Sequence, residues 1–106
     1  TLYVLMIRII SRKVPACSSL NFGVYVNKLS ENAKEQPGFI KSDSFWCREH
    51  DQIISISDWQ SKNEWVKWYK SKRRNDISKM YNKYVREEHF HTLYKTNTRY
   101  RDIFLL

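Results

Sequence analysis

Residues 37–71 read PGFIKSDSFWCREHDQIISISDWQSKNEWVKWYKS, and this stretch decides the fold. Pro37 and Gly38 cannot continue a helix, so a helix that precedes them ends there. Residues 39–48 and 52–59 are rich in β-branched and aromatic side chains, and three polar residues separate them. This pattern predicts a β-hairpin.

A helix follows the hairpin. Ser61, with Glu64 three residues later, forms a capping box, which predicts that the helix begins after Ser61. Trp65, Trp68 and Tyr69 then share one face of this helix at i, i+3, i+4 spacing. We expect this aromatic face to belong to the core or to line a pocket.

The first strand indicates how the sheet is covered. Residues 2–10 read LYVLMIRII and are apolar at both parities except for Arg8. A strand with one solvated face would alternate, so we expect cover on both faces: helices on one, and a second copy of the sheet on the other. The sequence therefore predicts a homodimer.

Arg8 in such a strand needs a partner of opposite charge, for which Asp58 and Glu49 are the candidates.

The remaining segments complete the topology. Apolar positions recur at helical spacing over 19–35, after a connection at 11–16. Residues 72–75 form a polar joint, and a further helical stripe then includes Ile77, Met80, Tyr81 and Tyr84. Residues 88–95 alternate like a strand, and 96–106 end in four apolar residues that we expect to dock on the body or on a partner. The order β-α-β-β-α-(α)-β predicts a ferredoxin-like α+β fold with a four-stranded antiparallel sheet.

Length and composition bound the class of protein. A chain of 106 residues predicts a single domain over 1–106, with a core over about 3–95. Aromatic residues make up 15% of the chain, which suits an apolar pocket or an interface as well as a core. No apolar stretch approaches the roughly 20 residues of a membrane span, and no signal peptide is apparent. Because no such apolar stretch is present, no membrane partner is expected. Two cysteines without metal-type spacing favour a reduced, cytoplasmic protein.

The net charge of +8 is unevenly placed. Residues 62–86 contain nine basic side chains against two acidic ones, which suits an anionic partner or a solvated helix face. Nucleic acid is nevertheless an unlikely partner. The aromatic motif with which ferredoxin-like sheets bind RNA is absent, and the basic residues lie on helices whereas the sheet is apolar.

The order of these motifs resembles the antibiotic biosynthesis monooxygenase (ABM) domain. The residues that carry the resemblance are Pro-Gly-Phe-Ile at 37–40, the strand that ends at Trp59, and the helix pattern Ser61-x-x-Glu64-Trp65-x-x-Trp68-x-x-Ser71-x-x-Arg74. The match spans about residues 3–95. It implies a dimeric α+β barrel made from two ferredoxin-like sheets, in which each subunit has a pocket between its sheet and its helices.

The resemblance implies two kinds of activity. Some members are cofactor-independent monooxygenases of polycyclic phenols or quinols, and others bind and degrade haem. Haem-degrading members have an Asn on the first strand, a helix Trp and a His about three turns later. The corresponding residues here are Ile7, Trp68 and Ser78, so haem degradation is not expected. Some phenol-oxidising members have an Asn four residues before the Trp, where this chain has Glu64.

Five residues are candidates for the site. Trp68 would stack on a flat substrate, as the resemblance implies, or would belong to the core. His89 and His91 face the same way on the last strand, and one of them would deprotonate a phenol or quinol, since histidine changes charge near neutral pH. Tyr81 would donate its phenolic hydroxyl to a substrate oxygen, and Arg74 would fix an anionic group. The structural alternatives are an exposed edge-strand pair for the histidines, core for the tyrosine and a solvated surface for the arginine.

Two functions are compatible with these residues. The first is a cofactor-independent monooxygenase that oxidises a small aromatic substrate of the phenol or quinol type with O2, without a metal. The alternative is a non-catalytic dimeric binding or stress-related module for a hydrophobic ligand, which the departures at Ile7, Glu64 and Ser78 favour.

Overall fold

The computed structural model describes residues 4–15 and 19–96. Its helices and strands are β1 Val4–Lys13, α1 Ser19–Lys34, β2 Phe39–Cys47, β3 Gln52–Trp59, α2 Lys62–Tyr69, α3 Lys72–Tyr81 and β4 Glu87–Thr96. Short 3-10 turns at Arg48–His50 and Asn82–Tyr84 precede β3 and β4. No helix in these ranges is long and apolar enough to span a membrane. The predicted docking of residues 97–106 lies outside the described residues.

The four strands form one antiparallel sheet in the order β2-β3-β1-β4. This order places β1 in the interior of the sheet, between β3 and β4. The predicted ferredoxin-like α+β fold is therefore confirmed. The hairpin of β2 and β3 turns at Asp51, whose φ of 51° lies in the left-handed region.

Two predicted boundaries are wrong. Residues 11–13, predicted as part of a connection, belong to β1, because Arg12 pairs with Ile53 on one side and with Glu88 on the other. Residues 72–75, predicted as a polar joint, are the first turn of α3. Ser71 caps this helix, since its hydroxyl accepts a hydrogen bond from the backbone N–H of Arg74 at 3.2 Å.

The turn between α1 and β2 is fixed by a glycine. Gly38 has a φ of 84°, which L side chains rarely adopt. A Cβ at this position would lie 1.1 Å from Oε2 of Glu64, at the start of α2. The turn and the first turn of α2 therefore fit together only with glycine at this position, and Ser61 caps α2 as predicted.

The core lies between the sheet and the helices. Met6 and Ile10 of β1, and Ile53 and Trp59 of β3, point toward α1, whose apolar stripe is buried against them. That stripe and the aromatic face of α2 complete the cluster with Phe22, Tyr25, Val26, Leu29, Ala33, Trp65 and Trp68. The aromatic residues of the helix that follows the hairpin are thus packing residues of one continuous core.

The opposite face of the sheet is apolar at its centre. Ile7, Ile9 and Ile56 alternate with the core residues and so point away from the helices. Leu93, which pairs with Ile7, keeps 51% of its surface exposed. The Cα atoms span only 17 Å along the shortest axis, the depth of one sheet and one helix layer. We refer to this surface as the open face.

Candidate functional site

Four serines line the helix-facing side of β2 and β3. The strand register pairs Ser42 with Ser57 and Ser44 with Ser55, so the four hydroxyls form a compact array. On the α1 side, the hydroxyl of Ser30 lies 2.5 Å from that of Ser42. We call Ser42, Ser44, Ser55 and Ser57 the serine wall. A hydroxyl array is unusual where a sheet packs on a helix, because apolar residues normally fill such positions.

A cavity of about 50 Å³ lies between the serine wall, α1 and two tryptophans. The indole rings of Trp59 and Trp68 are 5.6 Å apart at 30° and both line it. Both indole nitrogens are occupied. Nε1 of Trp59 donates to Oγ of Ser57 at 3.1 Å, and Nε1 of Trp68 donates to Oδ1 of Asn32 at 2.9 Å. The ring positions are therefore fixed by hydrogen bonds as well as by packing.

Two polar groups in the cavity wall are candidates for ligand contacts. The hydroxyl of Ser55 is buried and has no hydrogen-bond partner among the described residues. Arg12 also lines the cavity and is only 3% exposed. Its Nε donates to Oε1 of Glu88 at 2.9 Å. The cavity thus combines aromatic rings, a hydroxyl that is free to form a hydrogen bond and one guanidinium that is already paired with a carboxylate.

A wider groove of about 300 Å³ lies beside the cavity, between α1 and the end of β2. Its walls include Gly23 and Asn27 of α1 and Trp46 of β2. Val26 and Ser44 line both the groove and the cavity, so the two spaces are adjacent. Trp46 keeps 41% of its surface exposed on this edge strand. A ligand in the groove would therefore contact Ser44 of the serine wall.

Trp68 is the one of the five predicted site residues that lines this cavity. Tyr81 stacks on the ring of Tyr25 with centroids 4.8 Å apart. Arg74 is buried with its guanidinium 3.8 Å from the centroid of the Tyr69 ring. Neither Tyr81 nor Arg74 lines the cavity, and their roles in binding substrate stay predictions.

The two histidines lie on the open face. His91 pairs with Ile9 and His89 pairs with Ser11, so both point away from the helices, and both are exposed. Nε2 of His89 is 3.7 Å from Oε2 of Glu87. The structure therefore confirms that they face the same way but does not bring them together with Trp68. Their role as catalytic bases stays a prediction. A substrate that reaches them would have to bind at the open face and not in the cavity next to α1.

Arg8 does not make the predicted ion pair. Asp58 points to the open face, where Oδ2 lies 4.0 Å from Nζ of Lys41. The guanidinium of Arg8 instead contacts two rings, with its carbon 4.5 Å from the centroid of Trp65 and 4.7 Å from that of Phe90. It also donates to the hydroxyl of Thr92. Among the described residues, cation–π contacts with two rings thus take the place of the predicted carboxylate partner.

The register also revises the comparison with haem-degrading proteins. Ile7 points to the open face, so the first-strand residues that face the helices are Met6 and Arg8. Neither is the required Asn. Ser78 is buried, and its hydroxyl donates to Oδ1 of Asn82 at 3.0 Å. The expectation that this chain does not degrade haem is therefore unchanged. The residue of β1 that corresponds to the Asn is Met6 or Arg8, and not Ile7.

Sequence reasoning missed the serine wall. Its signal is the repeated pattern Ser-x-Ser, at Ser42 and Ser44 and again at Ser55 and Ser57. Each pattern alone is typical of an ordinary exposed strand. Only the pairing of β2 with β3 brings the four hydroxyls together.

The residues that the structure describes contain no group of three or more His, Cys, Asp or Glu side chains arranged to hold a metal ion.

Comparison with known proteins relates the chain to solved structures only. No protein-family profile and no curated protein sequence matches it. The cofactor-independent oxygenase SnoaB from Streptomyces nogalater, in a mutant form, superposes with a TM-score of 0.76 at 10% identity, covering 91% of this chain and 96% of that one. A structure described as an antibiotic biosynthesis monooxygenase gives 0.72 at 10% identity, covering 89% and 99%.

A third similar structure is a conserved protein from Methanosarcina mazei Go1. It superposes with a TM-score of 0.77 at 12% identity, covering 86% of this chain and 92% of that one. Identities this low relate folds and not activities. The similarity nevertheless extends over nearly the full length of each chain, so the whole architecture is shared.

Proposed function

We propose that this chain, which has the fold of the antibiotic biosynthesis monooxygenase proteins, is a homodimeric protein that binds a small aromatic compound bearing a hydroxyl group. The ligand directs its hydroxyl into the cavity between α1 and the sheet. The observation that carries this proposal is the buried hydroxyl of Ser55, which has no partner among the described residues and lies in the same cavity wall as Trp59 and Trp68.

The size of the two spaces supports this orientation. A dry cavity that holds benzene has a volume of about 150 Å³, three times that of the cavity behind the serine wall. The ring therefore lies at the junction with the groove, over Val26 and Ser44, and only its polar end enters the cavity. The hydroxyl of Ser55 then gains the hydrogen bond that the described residues do not supply.

The open face supports the homodimer. Ile9 and Ile56 are cross-strand neighbours at its centre, and Leu93 extends the apolar surface across β4. A second copy of the same face would bury these side chains by a two-fold contact, which is self-complementary by symmetry. Phe45, which is 55% exposed and pairs with Ile54, extends the surface toward β2.

Calorimetric titration with 2-naphthol tests the binding proposal. The wild-type protein should bind it, and Ser55→Ala should weaken binding about tenfold, the effect of losing one buried hydrogen bond. Ser11→Ala is the matched control, because Ser11 is on the opposite face of the same sheet. Naphthalene, which lacks the hydroxyl, should bind equally to wild type and Ser55→Ala. Equal affinity of 2-naphthol for wild type and Ser55→Ala would contradict the proposal.

A second candidate is a cofactor-independent monooxygenase that oxidises the bound phenol or quinol with O2. The shared fold with SnoaB, which is described as a cofactor-independent oxygenase, supports it. An electron-rich aromatic anion can pass an electron to O2 directly. O2 uptake with quinols and anthrone-like phenols tests this candidate, and uptake no faster than in buffer would contradict it.

A further inference from the structure

Gly23 lines the groove although glycine destabilises the helix in which it lies. It lies within α1, where glycine costs about 1 kcal/mol of helix stability relative to alanine. The structure gives no packing reason for that cost. A Cβ built on Gly23 meets no atom of the described residues within 4 Å, and Gly38 is the only described glycine with a positive φ.

The space that Gly23 leaves is part of the groove. Gly23 and Val26 line its α1 side, and Trp46 lines the opposite side on β2. Trp46 is a large apolar side chain with 41% of its surface in solvent, an exposure that a ligand in the groove would reduce. Because a Cβ at position 23 meets no atom of the described residues, a bulkier side chain there would occupy part of the groove.

The volumes leave room for more than one ring. A cavity that accommodates a single ring has a volume of about 150 Å³, roughly half that of the groove. The remaining part lies between Gly23 and Trp46, which line the groove but not the cavity, whereas Val26 and Ser44 line both spaces. An apolar substituent on the side of the ring opposite the hydroxyl would fill it.

We propose that Gly23 and Trp46 are specificity-determining residues that set the length of the ligand, so that a phenol with an apolar arm opposite its hydroxyl binds better than the bare ring. This inference rests on the proposed function, since it places the hydroxyl at the serine wall. Because Gly23 has no side chain, the space beside it is open for the apolar arm of the ligand. The exposed ring of Trp46 would then pack against that arm.

A homologous series of phenols tests the inference. We would measure dissociation constants of phenol, 4-ethylphenol and 4-butylphenol by calorimetry. In the wild-type protein each added methylene should tighten binding about fourfold, so that 4-butylphenol binds about fifteenfold tighter than 4-ethylphenol. Gly23→Leu should reduce this gain to less than about twofold, because leucine occupies the space of the arm. The same variant should keep the affinity for phenol.

Gly23→Ala is the matched control, because its Cβ meets nothing and should preserve the gain with chain length. Trp46→Ser supplies a second route, since it should weaken 4-butylphenol and leave phenol unchanged. The gain persisting in Gly23→Leu, or absent from the wild type although phenol binds at the serine wall, would overturn the inference. Absence of phenol binding altogether, or binding that ignores Ser55→Ala, would instead overturn the proposed function.

Discussion

Two serines on one strand should respond to the same substitution with opposite signs. Ser57 accepts a hydrogen bond from the indole N–H of Trp59, a residue with no exposed surface. Ser57→Ala leaves this donor buried and unpaired, which costs about 1–3 kcal/mol. Ser55, two residues away on the same side of β3, has a buried hydroxyl without a partner among the described residues. Ser55→Ala removes that group and should raise the free energy of unfolding by about 1 kcal/mol.

Urea denaturation of the two variants at equal protein concentration measures the difference. Their free energies of unfolding should differ by about 2–4 kcal/mol in total. With a denaturant slope of about 1.5 kcal/mol/M for a chain of this size, the midpoints should be separated by roughly 2 M urea. Equal concentration matters because a dimer gains stability by mass action.

Destabilisation by both substitutions would contradict this reasoning. If Ser55→Ala destabilises the protein as much as Ser57→Ala, then the hydroxyl of Ser55 already has a bonding partner in the folded protein. It would then have no free capacity for a ligand. The result would refute both the bonding pattern assigned to the serine wall and the reason for placing a ligand hydroxyl there.

Three further substitutions test other features. Gly38→Ala should cost about 2–4 kcal/mol in urea titrations, from a positive φ and a displaced Glu64 carboxylate, and less in a Glu64→Ala background. Ile56→Lys should give a folded monomer by light scattering, because it charges the open face, whereas Val24→Lys on the exposed side of α1 should leave a dimer. Arg8→Lys should lower the unfolding free energy by about 1–2 kcal/mol, because an ammonium cannot stack flat between two rings, and a midpoint equal to wild type would contradict this.

Local signals in the sequence predicted most of the fold. The helix that ends before Pro37 and the cap at Ser61 depend on neighbours within a few residues, and the structure confirms both. The β-rich runs on either side of the hairpin turn are confirmed for the same reason. The end of β1 was wrong, because Arg12 and Lys13 are polar and join the strand only through partners on β3 and β4.

The candidate site could not be predicted in the same way, because it depends on register between distant strands. Alternation showed that His89 and His91 share a face, but only the pairing of β4 with β1 decides which face it is. The serine wall likewise exists only when β2 pairs with β3. Arg8 illustrates a further difficulty, since its ring partners Trp65 and Phe90 lie 57 and 82 residues away along the chain.

The Arg8 contacts also explain why the space next to α2 is filled. The ring of Trp65 stacks on Tyr69 at 4.8 Å, and the guanidinium of Arg74 lies 3.8 Å from the centroid of Tyr69. Arg8 completes this continuous stack on the sheet side. Arg74, whose role in holding a substrate anion stays a prediction, contacts Tyr69, and the cavity behind the serine wall lies beside α1.

An NMR titration of the isotope-labelled protein with 2-naphthol tests the central claim most directly. Ligand in the cavity should produce saturable shifts at the indole N–H of Trp68 and at the backbone amides of the serine wall, with the largest at Ser55. Residues of the open face should not respond. Shifts centred on Ile9 and His91, or no saturable shift at all, would contradict the claim that this chain binds its ligand between α1 and the sheet.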